Sequence, residues 1–350
     1  MITDKPKVSI IIVNFNGERF LEKSFSSIRR NKGVSYEIIF VDNASKDKSV
    51  EFVTKNYPNT KIIQNKSNLG FAGGNNIGVR KAKGEYFLLL NNDTIIESDF
   101  LKKTLRAFEE IPNLGCLQPK IVLMKDNNVL DSCGSYLTDT SFLYHYGYDK
   151  EQSLAKYNIS IPIFSVKGVA ILTKRQIVEK IGLFDDDFWC YFEETDFCHR
   201  LWMAGFEVWY YPKAKIFHAA GGTTLLFFHN SYIQFQNFKN KLISFLKNFE
   251  TVTLIKLIPV YLLIVFFLSI YFLFNFKFKY IVSLYKALLW NIIHIRSTLA
   301  KRKHIQLLRK VSDQAIFNKV KRNPRIIYYY YQQIGKLKNY VDKPYETSQK

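Results

Sequence analysis

The 350-residue sequence predicts an α/β fold, a Rossmann-like and mostly parallel sheet with helices on both faces, followed by C-terminal hydrophobic and amphipathic helices. Three observations carry this. Short β-branched runs alternate with helix-compatible stretches through the first half. Several of those runs are apolar throughout rather than alternating, as strands buried on both faces are. Past Lys256 the pattern changes to long uncharged segments and a basic tail.

Taken in order, Val8–Val13 is a strand-like run stopped by Asn14-Phe15-Asn16-Gly17, and a polar helical segment, Glu18–Arg30, follows. Tyr36–Val41 is a second run, halted by Asp42-Asn43, with Ser45 preceding a helix that reaches Lys55. Lys61–Ile63 and Tyr86–Leu90 read as further strands around a helix over Ala72–Ala82. Gly115–Leu123 and Phe164–Leu172 read as strands separated by a polar, Tyr-rich interval. Lys174–Ile181 and Glu193–Ala204 read as helices, and Glu207–Tyr211 as a short strand ended by Pro212. The polar clusters at strand ends matter most, because open α/β sheets bind ligands beyond the carboxyl ends of their strands.

Leu257–Phe276 is a run of 20 uncharged residues between Lys256 and Lys277, about the length needed to cross a bilayer. Tyr280–Ile295 is amphipathic but carries Lys286 and His294. Of the formal +20 charge, residues 277–350 hold +14 and the rest only +6. A single crossing from a cytosolic body would place that tail outside, against the positive-inside tendency. The expectation is therefore a shallow re-entrant or interfacial helix pair. Its basic residues (Arg296, Lys301, Arg302, Lys303, Arg309, Lys310) would lie against an anionic membrane surface. A charge concentrated away from the strand-end clusters argues against nucleic acid as partner. The four cysteines show no CxxC spacing, and the N-terminal stretch reads as a strand rather than an apolar leader, so reduced thiols on the cytosolic side are expected.

Five constellations point to chemistry. Asp42, at a strand mouth, suits a hydrogen bond from a nucleobase, while Ser45 and Asp47 suit helix capping. Asn68-Leu69-Gly70-Phe71-Ala72-Gly73-Gly74-Asn75-Asn76-Ile77-Gly78 allows close backbone approach but has neither the GxGxxG nor the P-loop spacing. Asn91-Asn92-Asp93 ends a buried strand with oxygen ligands suited to Mg²⁺ or Mn²⁺ on a diphosphate. In Glu193-Glu194-Thr195-Asp196, Asp196 can pair with Arg200 four residues on, leaving Glu193 and Glu194 for a cleft and proton abstraction. His218 ends a short strand before Gly221-Gly222-Thr223 and is a ligand candidate beside such a metal.

In this order and spacing the motifs VSIIIVNFNG, VDNASKDKS, NLGFAGGNNIG, LLLNNDT, FEETDFCHRLWMAGF and HAAGGTT resemble the inverting family 2 glycosyltransferases of GT-A fold. The likeness is nearest to the rhamnosyltransferase-like branch and covers about residues 7–224. The resemblance implies a catalytic region over 1–225 and a membrane-associated basic region over 226–350. It implies a nucleotide-diphosphate-sugar donor held by Asn14, Asn16, Asp42, Gly70, Asn75 and Asn92. It implies Mg²⁺ or Mn²⁺ on Asp93 and His218, and a general base at Glu194 or Glu193. Gly168, Trp189 and Tyr191 would face a glycan or lipid-linked acceptor at the cytoplasmic face of the cell membrane. Two other readings are open: a sugar nucleotidyltransferase on a similar scaffold, and a non-catalytic membrane- or nucleic-acid-binding protein.

Overall fold

A computed structural model describes residues 5–140, 142–220, 230–333 and 335–345. The chain runs β1 (Val8–Asn14), α1 (Glu18–Arg29), β2 (Tyr36–Asp42), α2 (Ser49–Asn56), β3 (Lys61–Gln64), α3 (Gly70–Lys81), β4 (Tyr86–Leu90), β5 (Thr94–Ile96), α4 (Phe100–Glu110) and β6 (Leu114–Leu123). It continues through β7 (Asp126–Ser132), β8 (Ser135–Leu137), β9 (Leu143–His145), β10 (Lys150–Glu151), β11 (Ile161–Pro162), β12 (Ala170–Lys174), α5 (Arg175–Ile181), α6 (Glu193–Met203) and β13 (Glu207–His218). The helices α7 (Asn230–Asn248), α8 (Thr251–Phe274), α9 (Phe278–Ile293), α10 (Ile295–Gln306), α11 (Asp313–Val320) and α12 (Ile327–Gln333) complete it.

The main sheet has the order β10-β7-β6-β12-β4-β1-β2-β3, with β13 on the other edge of β6. Strands β3, β2, β1 and β4 are parallel, and β12 is antiparallel to both β4 and β6. Because side chains alternate along a strand, β1 sends Val8, Ile10 and Ile12 into one core with Phe25 of α1 and Phe100 of α4. Its Ile11 enters the opposite core with Ala72 of α3. Both faces are covered, which is why these strands read as unbroken apolar runs.

Close packing of α3 on β1 explains part of the glycine-rich segment. A Cβ on Gly74 would stand 2.7 Å from Val13 Cγ1, and one on Gly78 would stand 2.4 Å from Ile11 Cγ2. These two glycines, one turn apart, flatten the face of α3 that meets the sheet. Asn76 then ties the helix to the loop before α6, with Nδ2 donating to Phe184 O and Asp186 Oδ1 at 2.9 Å each.

Three sequence expectations are corrected. Phe164–Leu172 is not one strand: β12 begins only at Ala170. Upstream of it, the Ile163 and Phe164 carbonyls accept from Trp202 Nε1, and Lys167 N donates to Gln118 Oε1, so that backbone is satisfied without a ladder. The strand at Glu207 does not stop at Pro212, because a register shift between Tyr211 and Lys215 removes the proline from the ladder and β13 runs on to His218. Ser45 is not a helix cap, since α2 begins at Ser49. Its hydroxyl instead accepts from Asn16 N at 2.9 Å and joins the loops after β1 and β2. The strands β7 to β10 and the helix α4 were not anticipated.

At the C-terminal end, α7 packs on α6, and α9 and α10 pack on α7. Helix α8 buries only a stripe of Leu257, Tyr261, Val265 and Ser269, spaced four residues apart, and leaves Leu263, Phe266, Phe267 and Phe274 exposed. It is long and apolar enough to cross a membrane. Lys301, Arg302 and Arg309 turn inward rather than toward a lipid surface. Lys301 pairs with Asp185 and Asp187, Arg302 bonds the Leu246 and Phe249 carbonyls, and Arg309 pairs with Asp313. That corrects the expectation for half of the six basic residues named.

Gly78→Leu tests the α3–β1 approach. It is expected to destabilise the fold by about 1–3 kcal/mol through overpacking, read as a lower urea midpoint with an unchanged slope.

Candidate active site

A cleft of about 340 Å³ opens at the carboxyl ends of β1, β2 and β4, a volume within the range of small-molecule sites. Strand pairing builds one wall. Antiparallel β13 and β5 place His218 opposite Thr94, and Ala219 N donates to Asp93 O at 3.0 Å, so the histidine lies beside the Asp93 side chain although 125 positions separate them in the chain. His218 Nε2 stands 3.4 Å from Asp93 Oδ1.

Behind this pair lies Asp131 of β7, which flanks β6 on the side away from β13. Its Oδ2 accepts from His218 Nδ1 at 2.7 Å, and its Oδ1 accepts from Lys167 Nζ at 2.5 Å. Burial opposes charge on both partners. The Lys167 charge and the His218 bond nonetheless hold the Asp131 carboxyl far below its usual range, while the bond to Asp131 and the adjacent carboxylate charges of Asp93 and Asp131 lift His218 to about 9. With Nδ1–H fixed on a carboxylate, Nε2 is directed at Asp93.

A divalent cation fits the pair. Asp93 Oδ1 is buried and has no hydrogen-bond donor, so it remains available as a hard oxygen ligand. Two ligands each about 2.1 Å from an octahedral ion stand about 3 Å apart, close to the observed separation. No group of three or more His, Cys, Asp or Glu side chains among the described residues is arranged to hold a metal ion. Asp93 and His218 would be the protein ligands of a sparse site.

The opposite wall carries the acidic pair at the start of α6. Glu193 and Glu194 both line the cleft, and each leaves its Oε2 without a hydrogen-bond partner. Burial and the neighbouring Glu194 push the Glu193 carboxyl well above the carboxylate range. Burial pushes Glu194 up to about 7, against backbone N–H bonds and the Lys167 charge. Two adjacent buried carboxyls with raised proton affinity in a cleft suit an acid–base site. Asp196 is turned away and pairs with Arg200 Nε at 2.9 Å, as the i, i+4 spacing implied.

The loop leading into this pair is held in an uncommon conformation. Tyr191 and Phe192 are consecutive non-glycine residues with φ of 70° and 72°, a combination that persists only under external constraint. The constraint comes from α7, where buried Asn240 donates to the Cys190 and Tyr191 carbonyls at 2.9 and 2.6 Å.

Among the expected site residues, Gly70, Asn92, Asp93, Gly168, Trp189, Tyr191, Glu193, Glu194 and His218 meet in this one cleft. Gly70 (φ +71°) is irreplaceable for a local reason: a Cβ there would lie 2.0 Å from Trp189 O. Gly168 faces Glu194, and a Cβ on it would reach the Glu194 carboxyl carbon at 3.8 Å. Asn14, Asn16, Asp42 and Asn75 stand behind the lining. Asp42 accepts from Asn14 Nδ2, Ser45 N and Ser45 Oγ, and Asn14 Oδ1 accepts from Asn92 Nδ2 at 2.6 Å. Asn16 bonds Lys46 N and borders a separate depression beside Glu18 and Arg19, and Asn75 closes on Phe71 O within its own helix. At the strand mouth it is Asn43, one residue past Asp42, that reaches the cleft, with Nδ2 on Gly70 O at 3.0 Å. Asp131, Lys167 and Asn240 were not singled out from sequence. Lys167 adjoins Gly168 and was within reach of that motif, whereas Asp131 and Asn240 carry no local signal. Gly221, Gly222 and Thr223 lie outside the described residues.

Comparison with known proteins bears on the family and the fold. Residues 9–182 match the family described as Glycosyl transferase family 2. An uncharacterized glycosyltransferase of Rickettsia typhi is 27 % identical over 189 residues, 53 % of this chain and 55 % of that protein. The low-salt glycan biosynthesis hexosyltransferase Agl10 of Haloferax volcanii is 26 % identical over 197 residues, 55 % of this chain and 61 % of that protein. The chain thus spans little more than half the length of these relatives. Among solved structures, S. aureus TarS 1–349 aligns at a TM-score of 0.50 with 16 % identity, covering 73 % of this chain and 70 % of that one. GalNAc-T7, crystallised with UDP, GalNAc and Mn²⁺, aligns at 0.53 with 15 % identity, covering 69 % and 48 %. Likeness at this level shows a shared GT-A fold.

Asp131→Asn removes the charge behind His218 while keeping a hydrogen-bond acceptor. Mn²⁺ affinity, measured by titration calorimetry well below the variant's unfolding temperature, is expected to fall about 10–100-fold, as for other partners of metal-binding histidines. The metal-free variant is expected to unfold at a lower temperature because Lys167 and His218 lose the carboxylate they share.

Proposed function

Taking residues 9–182 as a member of Glycosyl transferase family 2, we propose that the protein is an inverting glycosyltransferase. It moves a sugar from a nucleotide-diphosphate donor to a hydroxyl of a lipid-linked or cell-surface glycan at the cytoplasmic face of a membrane. The observation that carries this reading is the meeting of Asp93 and His218 with Glu193 and Glu194 across one cleft. The names of relatives point the same way. Agl10 is a glycan hexosyltransferase, and a Staphylococcus epidermidis relative, 24 % identical over 212 residues, is a poly-β-1,6-N-acetyl-D-glucosamine synthase. They support a hexosyl donor, with a rhamnosyl donor the narrower possibility.

In this mechanism the donor lies across Asn43, Gly70 and Asn92, with Asn14, Asn16 and Asp42 framing the loops behind its nucleoside and Asn75 bracing α3. Mg²⁺ or Mn²⁺ held by Asp93 and His218 would neutralise charge on the departing diphosphate. The acceptor enters over Gly168, where no side chain covers Glu194, and Trp189 and Tyr191 offer ring faces to a sugar. Glu194 Oε2 takes the proton of the acceptor hydroxyl as that oxygen bonds to the anomeric carbon. The carbon–oxygen bond to the nucleoside diphosphate breaks on the opposite side, so configuration inverts. Glu193, whose carboxyl is pushed well above the carboxylate range by burial and by Glu194, stays neutral beside Glu194 and spares the site a second negative charge.

Membrane attachment is proposed for residues 226–350, through the exposed face of α8 and α9. Two features support a re-entrant hairpin over a single crossing. Glu250, just before α8, bonds Asp313 N and accepts no separation from the body, while Lys301, past α9, pairs with Asp185. Helix α9 has 16 residues, about 24 Å at 1.5 Å per residue, short of a ~30 Å hydrocarbon core.

A panel of nucleotide sugars, assayed for hydrolysis and transfer with and without Mn²⁺, tests the reading. Asp93→Ala is expected to abolish Mn²⁺-dependent turnover while circular dichroism stays unchanged, and retained activity would remove the metal assignment. For Glu194 the sign follows from its raised pKa: the carboxyl is protonated and inactive as a base below about 7, so kcat rises with pH through that value. Glu194→Gln is expected to lose about 10²–10⁴ in kcat with donor affinity near wild type. An equal loss in binding would count against a base role.

A further inference from the structure

A second hollow, of about 640 Å³, lies between the first turns of α7 and the N-terminal half of α9. Its floor is apolar, formed by Tyr232, Phe235, Phe278 and Val282, and its rim carries Lys279 and Lys286. Neither lysine has a carboxylate partner among the described residues, and no acidic residue lines the groove. Seven positions apart on one helix, the two ammonium groups project from the same face, two turns apart.

The groove joins two features that the fold otherwise leaves unconnected. At one end Tyr232 packs edge-on against Trp189, with ring centroids 5.7 Å apart, and Trp189 lines the cleft. At the other end Phe278 leads to the turn between α8 and α9, where Phe274 is 77 % and Phe276 is 81 % exposed. An apolar trough with unpaired cationic groups on its rim is complementary to an amphiphile with one long chain and an anionic head.

We propose that this groove binds the hydrocarbon chain and phosphate of the acceptor, a single-chain alkyl or prenyl phosphate or diphosphate. The chain would rest on Phe235, Phe278 and Val282, the phosphate would meet Lys279 and Lys286, and the head group beyond it would pass Trp189 into the cleft. This assigns an acceptor class to the glycosyltransferase site and rests on that reading of the cleft. It also gives α9 a role that its lysines make poor sense of otherwise, since charged residues on a face turned to lipid are costly unless matched to a head group.

The test uses the full chain in an uncharged detergent with a diazirine-bearing dodecyl phosphate, and peptide mapping of the photoproducts. Labelling is expected in 231–235 and 278–286, competed by dodecyl phosphate but not by dodecanol. Lys279→Glu with Lys286→Glu, and separately Val282→Trp, are expected to lower labelling at least tenfold. Hydrolysis of whichever nucleotide sugar the panel identifies should be unchanged in both variants. Labelling spread over the exposed face of α8, or indifferent to both variants, would overturn the proposal. Equal competition by phosphatidylglycerol vesicles would assign the groove to bilayer lipid and overturn it as well. Absence of donor hydrolysis in the wild-type protein would instead strike the glycosyltransferase reading, whatever the labelling shows.

Discussion

The structure depends on a buried ion network that fastens the C-terminal helices to the loop carrying the acidic pair. Lys247 of α7 is almost fully buried and lies between Asp185 and Asp196, 2.5 and 3.3 Å from their carboxylates. Asp196 is also met by Arg200 and by Asn248 Nδ2, and Asp185 by Lys301 of α10. Arg200 in turn donates to the carbonyls of Ile181, Gly182 and Leu183. Each charge has a partner of opposite sign and further hydrogen bonds, the condition under which burial of ions is tolerated. Loss of one partner would leave a carboxylate stranded in the interior, a change that typically costs several kcal/mol.

This network explains how the chain sustains two consecutive left-handed residues before α6. The segment from Asp185 to Asp196 is anchored at both ends by lysines and in the middle by Asn240, so Tyr191 and Phe192 have no relaxed alternative within reach. The helices after β13 are therefore part of the packing that holds the cleft in shape. Helices α7 and α10 supply groups that shape the wall of the cleft, although no side chain of either helix lines it.

The sequence made legible those features that are local or periodic. The strands β1, β2 and β4, both acidic-pair residues, Asp93 and His218 were all readable, because apolar runs and strand-end polar clusters lie contiguously in the chain. The Asp196–Arg200 pair was readable from helical spacing. What was not legible depends on pairing across long separations. Asp131 reaches His218 only because β7 and β13 flank β6, and Asn240 reaches Tyr191 only through the packing of α7 on α6. The glycines of α3 show a different failure. Their number suggested ligand approach, yet Gly74 and Gly78 answer to Val13 and Ile11, and only Gly70 adjoins the cleft. Also unannounced by local pattern are the bonds that Asp42 accepts from Ser45 and Asn14, which join the loops after β1 and β2.

The inward turn of Lys301, Arg302 and Arg309 also changes what holds the protein to its proposed membrane. A net +14 in the tail suggested electrostatic adhesion, yet these cations are paired within the body. Each remaining exposed lysine or arginine near an anionic surface contributes about 1 kcal/mol. A Leu or Phe side chain moved from water into hydrocarbon contributes about 1.5–3 kcal/mol, and α8 alone exposes Leu262, Leu263, Phe266, Phe267, Leu273 and Phe274. In the proposed attachment, insertion of the apolar face would therefore outweigh head-group attraction, and binding would depend more on buried area than on salt. The same balance leaves Lys279 and Lys286 out of the general adhesion. They flank a hollow between α7 and α9 rather than a flat outer face, which is the geometry for holding one anionic head group in place.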